Sequence, residues 1–156
     1  MKIMADKEEI RYVVRNRKAR HDYEIKSSLE VGIELQGSEV KSIREGKVNL
    51  SDAYATVENG EVILKNLHIS AYKMARENHD PLRPRRLLLH KREIRKMTIQ
   101  TEQRGMTLVP LSVYFRGRNV KIELAVAVGR KKYDKRQAIA RQEASRRIKK
   151  ALKRDL

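Results

Sequence analysis

Residues 119–128, "NVKIELAVAV", most narrow what this chain can fold into. Val120, Ile122, Leu124, Val126 and Val128 fall on one side of an extended backbone, and Lys121, Glu123, Ala125 and Ala127 on the other. That period of two defines a half-buried strand whose apolar face needs a core. Just upstream, Val109, Leu111, Val113 and Phe115 offer a second apolar face, and Gly117 in "RGRN" suits the turn between them, so the two segments form an antiparallel hairpin. Pro110 lacks a ladder donor and therefore calls for an edge or a bulge. A second hairpin is signalled by Asn59-Gly60, which fits a type I′ turn between "AYATV" and "VILKNLHIS". Shorter alternations occur at Tyr23/Ile25 and Val31/Ile33/Leu35.

Helices punctuate these strands without alternating with them. "GSEVKSIREGK" offers Ser38 as N-cap, Glu39 in the first turn and Gly46 past the end. Ile94 and Met97 mark the buried side of a helix over about 90–103, closed by Gly105. The expected architecture is mainly β with peripheral helices: an OB-like antiparallel β-barrel, with a plain β-sandwich as the alternative. Residues 1–10 read as a flexible N-terminus, 11–128 as the barrel and 129–156 as a basic tail. Alternation stops after Gly129. From Asp134 to Lys153 good helix formers carry a thin apolar stripe of Ala144, Ile148, Ala151 and Leu152. Such a segment is expected to be disordered when free and helical on a partner.

The net charge of +17 comes from 37 Lys and Arg against 20 Asp and Glu. Phosphate chains are the polyanions such a surface suits, because its cations displace condensed counterions, and an anionic membrane is the main rival. Three basic clusters stand out: Arg11, Arg15, Arg17, Lys18 and Arg20; the segment Lys73 to Lys96 around "HDPLRPRRLLLHKR"; and the tail. Each alone reads equally well as a solvated face, but three in one chain favour RNA. No apolar run approaches the ~20 residues that span a bilayer, and the start "MKIMADKEEI" lacks the apolar core of a signal peptide, so a cytoplasmic protein is expected. A tail lying on a membrane is disfavoured by its lack of Trp and Phe.

No cofactor, metal or catalytic group is expected. There is no cysteine, and His21, His68, His79 and His90 show no ligand spacing. No nucleophile elbow, paired-carboxylate motif or Gly-rich phosphate loop is present. His21 and Asp22 in "HDY" are adjacent, and on a strand adjacent residues point to opposite faces, so the motif reads as structural or as RNA contact. Six tyrosines and one phenylalanine are too few for a stacking platform spread over a sheet. Tyr133, flanked by Lys132 and Asp134, is either an inert surface residue or a base-stacking group among phosphate-holding cations. Asp134 suits the N-cap of the helix that follows.

"NRKARHDYEI", "LQGSEVKSIREGKVNLSDAY", "RRLLLHKREI" and "VGRKKYDKR" closely resemble the small protein B (SmpB) family, over about Asn16 to the C-terminus. The resemblance implies an OB-type, non-enzymatic RNA chaperone of trans-translation. Its partners would be the tRNA-like domain of transfer-messenger RNA (tmRNA), the ribosomal decoding centre and mRNA channel, and elongation factor Tu through alanyl-tmRNA, with the protein acting as a monomer. The family's tmRNA-binding positions fall on Asn16, Tyr23, Glu30 and a leucine of the "LLL" run, taken as Leu89. Arg17, Lys18, Arg20, His21 and Lys41 lie in the same motifs and are added as phosphate or ribose contacts. Glu30 cannot attract phosphate; it either accepts from a base or ribose or orients an arginine. In the tail, the resemblance makes Gly129 a hinge and gives Arg130, Lys131, Lys132, Tyr133, Asp134, Lys135 and Arg136 to ribosome sensing. Tyr133 stands where some members carry a stacked histidine. Ile148 and Lys149 match the functional point of the distal helix, although Lys149 is more polar than its counterpart in some relatives.

Overall fold

The computed structural model describes residues 9–103, 105–130, 141 and 143–152. In chain order the elements are β1 (Ile10–Arg15), α1 (Arg17–Asp22), β2 (Tyr23–Ile33), α2 (Gly37–Arg44), β3 (Val48–Asn49), β4 (Tyr54–Glu58), β5 (Glu61–Lys65), β6 (His68–Ile69), β7 (Arg85–Leu88), α3 (Lys91–Thr101), β8 (Met106–Arg116) and β9 (Asn119–Gly129). Both hairpins form where their turns predict. Asn59 and Gly60 take φ of 50° and 75°, and Gly117 takes 60°, in the region where glycine and asparagine carry little steric penalty.

Strands run in the order β8-β4-β5-β7-β2-β9, and β9 pairs back with β8, so the sheet closes on itself. That closure excludes an open β-sandwich and defines an OB-like barrel. β1 joins the far half of β8, from Arg116 to Ser112, while β4 meets β8 at Leu108. Ile122, Leu124, Leu64 and Val62 point inward with no exposure, and Ile43 of α2 and Met97 of α3 close the core. Register shifts between Pro110 and Ser112, so the proline sits at a bulge.

The bulge turns Val109 and Leu111 outward, where they join Ala125 and Ala127 beneath Ala19 of α1. Simple alternation would leave those alanines in water; both are fully buried because α1 covers them. α1 itself is absent from the sequence expectation. His21 and Asp22 are its last residues, not strand residues, and Tyr23 opens β2.

Other boundaries also shift. Gln36, not Ser38, caps α2: its N–H donates to Glu39 Oε1 at 2.8 Å, while Ser38 Oγ is 2.8 Å from His79 Nδ1. β9 continues through Gly129 opposite Tyr23, and the Arg130 N–H donates to the Asp22 carbonyl at 2.9 Å. Strand pairing thus extends past the expected barrel limit at 128, and β1 starts at Ile10, before the expected limit at 11. Residues 143–152 are helical in the chain by itself. Strong helix formers such as Ala144, Arg146 and Lys150 favour that conformation.

Candidate nucleic-acid interface

α1 has six residues and buries only Ala19, so it depends on its cap. Asn16 supplies it. Its Oδ1 accepts the Ala19 N–H at 3.0 Å, and its Nδ2 donates to the carbonyls of Leu50 at 3.2 Å and Pro110 at 3.0 Å. The residue is 5% exposed. Its amide atoms are thus engaged within the protein, and Asn16 clamps α1 to the bulge of β8 and to the loop at Leu50.

On that clamp Arg17, Lys18, Arg20 and His21 are exposed together. Lys18 lies 3.5 Å from Asp52, Arg20 3.3 Å from Glu123, and His21 Nδ1 3.1 Å from Asp22. Exposed pairs of this kind contribute ~0–1 kcal/mol and exchange readily for phosphate. Tyr23 is half-buried and borders a cleft of about 280 Å³ between α1 and residues 51–54.

Arg20 leads to the second group, because its partner Glu123 is the direct register partner of Glu30. Glu30 Oε1 accepts from Tyr114 Oη at 2.6 Å and from Arg116 Nε at 2.9 Å, both reaching across β9. Partial burial pushes the Glu30 carboxyl up. Hydrogen bonds from Tyr114 and Arg116, with the charges of Arg116 and Lys121, outweigh that and hold it below the usual carboxylate range. Burial, and then the bond to Glu30, push the Tyr114 phenol up. Of the two roles open to Glu30, orienting an arginine is the one its contacts serve.

Beside Glu30 lies a groove of about 570 Å³ bordered by Gly32, Lys121, Arg86 and the leucine run. Leu87 faces the core at 3% exposure, Leu88 points out at 48%, and Leu89 is half-buried against the core. Leu88, more than Leu89, is the leucine available to a ligand. Lys41 stands apart on α2, its Nζ 5.5 Å from the Tyr72 ring.

Sequence reasoning singled out neither Tyr114 nor Arg116, and it held Arg86 only as one cation of the Lys73–Lys96 cluster. The alternation that put Lys121 on the outer face was a further hint of this surface. Lys131, Lys132, Tyr133, Asp134, Lys135 and Arg136 lie outside the described residues, with the stacking and capping expected of them. Ile148 is 61% exposed, and Lys149 beside it is exposed.

α2 and the segment leading into β7 are joined by a charge cluster. Glu39 accepts from Arg83 Nε at 3.1 Å and pairs with Arg85. Arg85 Nη1 also donates to the Leu67 carbonyl at 2.6 Å. Among the described residues no group of His, Asp and Glu suits a metal, and no helix is long and apolar enough to cross a membrane.

A closed barrel with a cationic helix pinned to its outside and an arginine fixed across its sheet defines a small basic OB-like protein suited to polyanions. Its family can be stated outright. The chain belongs to the SmpB family, whose model, described as SmpB protein, matches residues 13–154. It is 59% identical over 145 residues to the SsrA-binding protein of Halothermothrix orenii, covering 92% of this chain and 94% of that one. With the SsrA-binding protein of Acetivibrio thermocellus it shares 57% over 148 residues, covering 94% and 96%. A solved chain from "tmRNA-SmpB: a journey to the center of the bacterial ribosome" is similar at 47% identity and a TM-score of 0.66, over 81% of this chain and 93% of that one.

Proposed function

We propose that this protein binds tmRNA, the SsrA RNA for which its relatives are named, and serves trans-translation on stalled ribosomes. One observation carries the reading: the identity to SsrA-binding proteins spans more than nine-tenths of both chains. The geometry supports it. Cations on α1, Arg116 fixed by Glu30, and exposed Leu88 form one outer surface on a +17 chain. Phosphate contacts there position the RNA, and the groove beside Leu88 accommodates part of a nucleotide.

In this reading the barrel holds the tRNA-like domain, and the chain is a non-enzymatic, cytoplasmic monomer. It reaches the ribosome with elongation factor Tu through alanyl-tmRNA. Tail residues from Gly129 to Arg136, with Ile148 and Lys149, sense the empty mRNA channel at the decoding centre.

RNA recovered with the tagged protein from cells tests this. One species of tmRNA size is expected to dominate and to survive competition by excess unrelated tRNA. Loss of that preference points to sequence-indifferent binding through charge alone and defeats the proposal.

A further inference from the structure

We propose that the outer face of β1, β8 and β9 carries a stacking site for one unpaired RNA base, built on Tyr12 and flanked by Arg15, Arg116 and Lys121. The inference rests on the RNA-binding reading above and extends the surface around Glu30 and Arg116 onto β1, where it adds Tyr12 and Arg15.

Seven aromatics are few for a platform on the sheet, yet strand register puts two of them side by side. Tyr12 and Tyr114 are direct partners in the β1–β8 pair. Their ring centroids are 5.3 Å apart with planes tilted by 47°. Tyr114 is buried and bound to Glu30, which makes it a fixed backing, whereas Tyr12 is 50% exposed. Nothing in the barrel core requires an aromatic ring at that exposed position.

Arg15 lies over the Tyr12 ring with its guanidinium carbon 4.1 Å from the centroid. A guanidinium and a nucleobase are both flat groups that stack on an aromatic face. Arg15 therefore covers the place a base takes, and on moving aside it meets the phosphate of the arriving nucleotide. Arg116 is held at 2.9 Å from Glu30 on the same face, and Lys121 is the register partner of Tyr114. Three cations thus surround one exposed tyrosine, the combination by which single-stranded RNA is held. Glu30 becomes a positioning residue here, because it fixes both the backing tyrosine and Arg116.

The chain has no tryptophan, so Tyr12→Trp installs the sole indole at the site, and its emission can be excited apart from that of the tyrosines. Titrated with tmRNA transcript, that variant is expected to lose emission as the complex forms. Tyr12→Leu is expected to weaken tmRNA binding about five- to 150-fold, the range of one base–aromatic stack, with Tyr12→Phe staying within about threefold of the parent. Unchanged tryptophan emission at saturating tmRNA overturns the site. So does an unchanged affinity in Tyr12→Leu, or an equal loss in Tyr12→Phe, since a phenyl ring stacks as well as a phenol. The tryptophan arm decides the matter even where Tyr12→Leu lowers stability. Failure of the parent protein to prefer tmRNA over unrelated tRNA instead removes the RNA reading, leaving the two failures distinguishable.

Discussion

Glu39 and Arg85 form an ion pair whose side chains are both fully excluded from solvent. Arg85 is satisfied further by the Leu67 and Pro81 carbonyls, so the pair ties α2, β7 and the loop between β5 and β6 together. Glu39→Ala leaves the guanidinium buried without its counterion and is expected to cost about 3–5 kcal/mol in urea denaturation. A loss under about 1 kcal/mol would show that water reaches the site.

The same carboxylate predicts acid sensitivity. Burial pushes Glu39 up, but bonds from Arg83, the Gln36 N–H and Arg85 win and hold it below its ordinary value of 4.5. The unfolded chain then binds the proton more readily, so the stabilisation is present above about pH 4.5 and is lost as pH falls through the lower folded value. Stability measured from pH 7 to pH 3 should fall less steeply in Glu39→Gln than in the parent. Parallel curves would refute the linkage.

Asn16→Ala removes the cap of α1 and the two bonds that Nδ2 donates to the Leu50 and Pro110 carbonyls, although the Leu50 carbonyl keeps the Ala53 N–H at 2.9 Å. The cap contributes ~1 kcal/mol and each lost hydrogen bond ~0.5–1.5 kcal/mol. Loss of tmRNA affinity should therefore come with a stability loss of at least about 2 kcal/mol. Weakened binding with an unchanged urea midpoint would mean that Asn16 touches RNA after all.

Gly32 seats Leu88: a Cβ added there would lie 3.2 Å from Leu88 Cβ. Gly32→Ala should displace the exposed leucine and cost about 1 kcal/mol through overpacking. Its tmRNA affinity should fall, while Gly37→Ala, with open space around its Cβ position, should bind as the parent does. Identical affinities in both variants would remove Leu88 from the interface.

Ending the chain after Arg130 keeps its bond to the Asp22 carbonyl and should leave the barrel's urea midpoint unchanged. Preference for tmRNA should persist and peptide tagging should disappear. The slope of log affinity against log salt should shrink by about 0.7–0.9 for each phosphate that the tail neutralises in the full-length complex. A tagging-competent truncation would contradict the role proposed for the tail.

Local signals determined a good part of this molecule. The Asn59-Gly60 and Gly117 turns, the inward set Val120 to Val126, the bulge at Pro110 and the α3 span follow from backbone preferences and a period of two or 3.6, which neighbouring residues carry among themselves. The motifs around Asn16 and Glu30 were equally visible as a family resemblance. What those residues do was decided only by tertiary structure. α1 has too short an apolar pattern to announce itself and exists because Asn16 caps it and Ala125 and Ala127 receive it. Leu88 rather than Leu89 faces outward because Gly32 makes room beside it. Glu30 meets Tyr114 and Arg116 across 84 and 86 residues of chain. Such contacts arise only when the sheet closes, since register between distant strands is fixed by the shared core and not by either strand's own sequence.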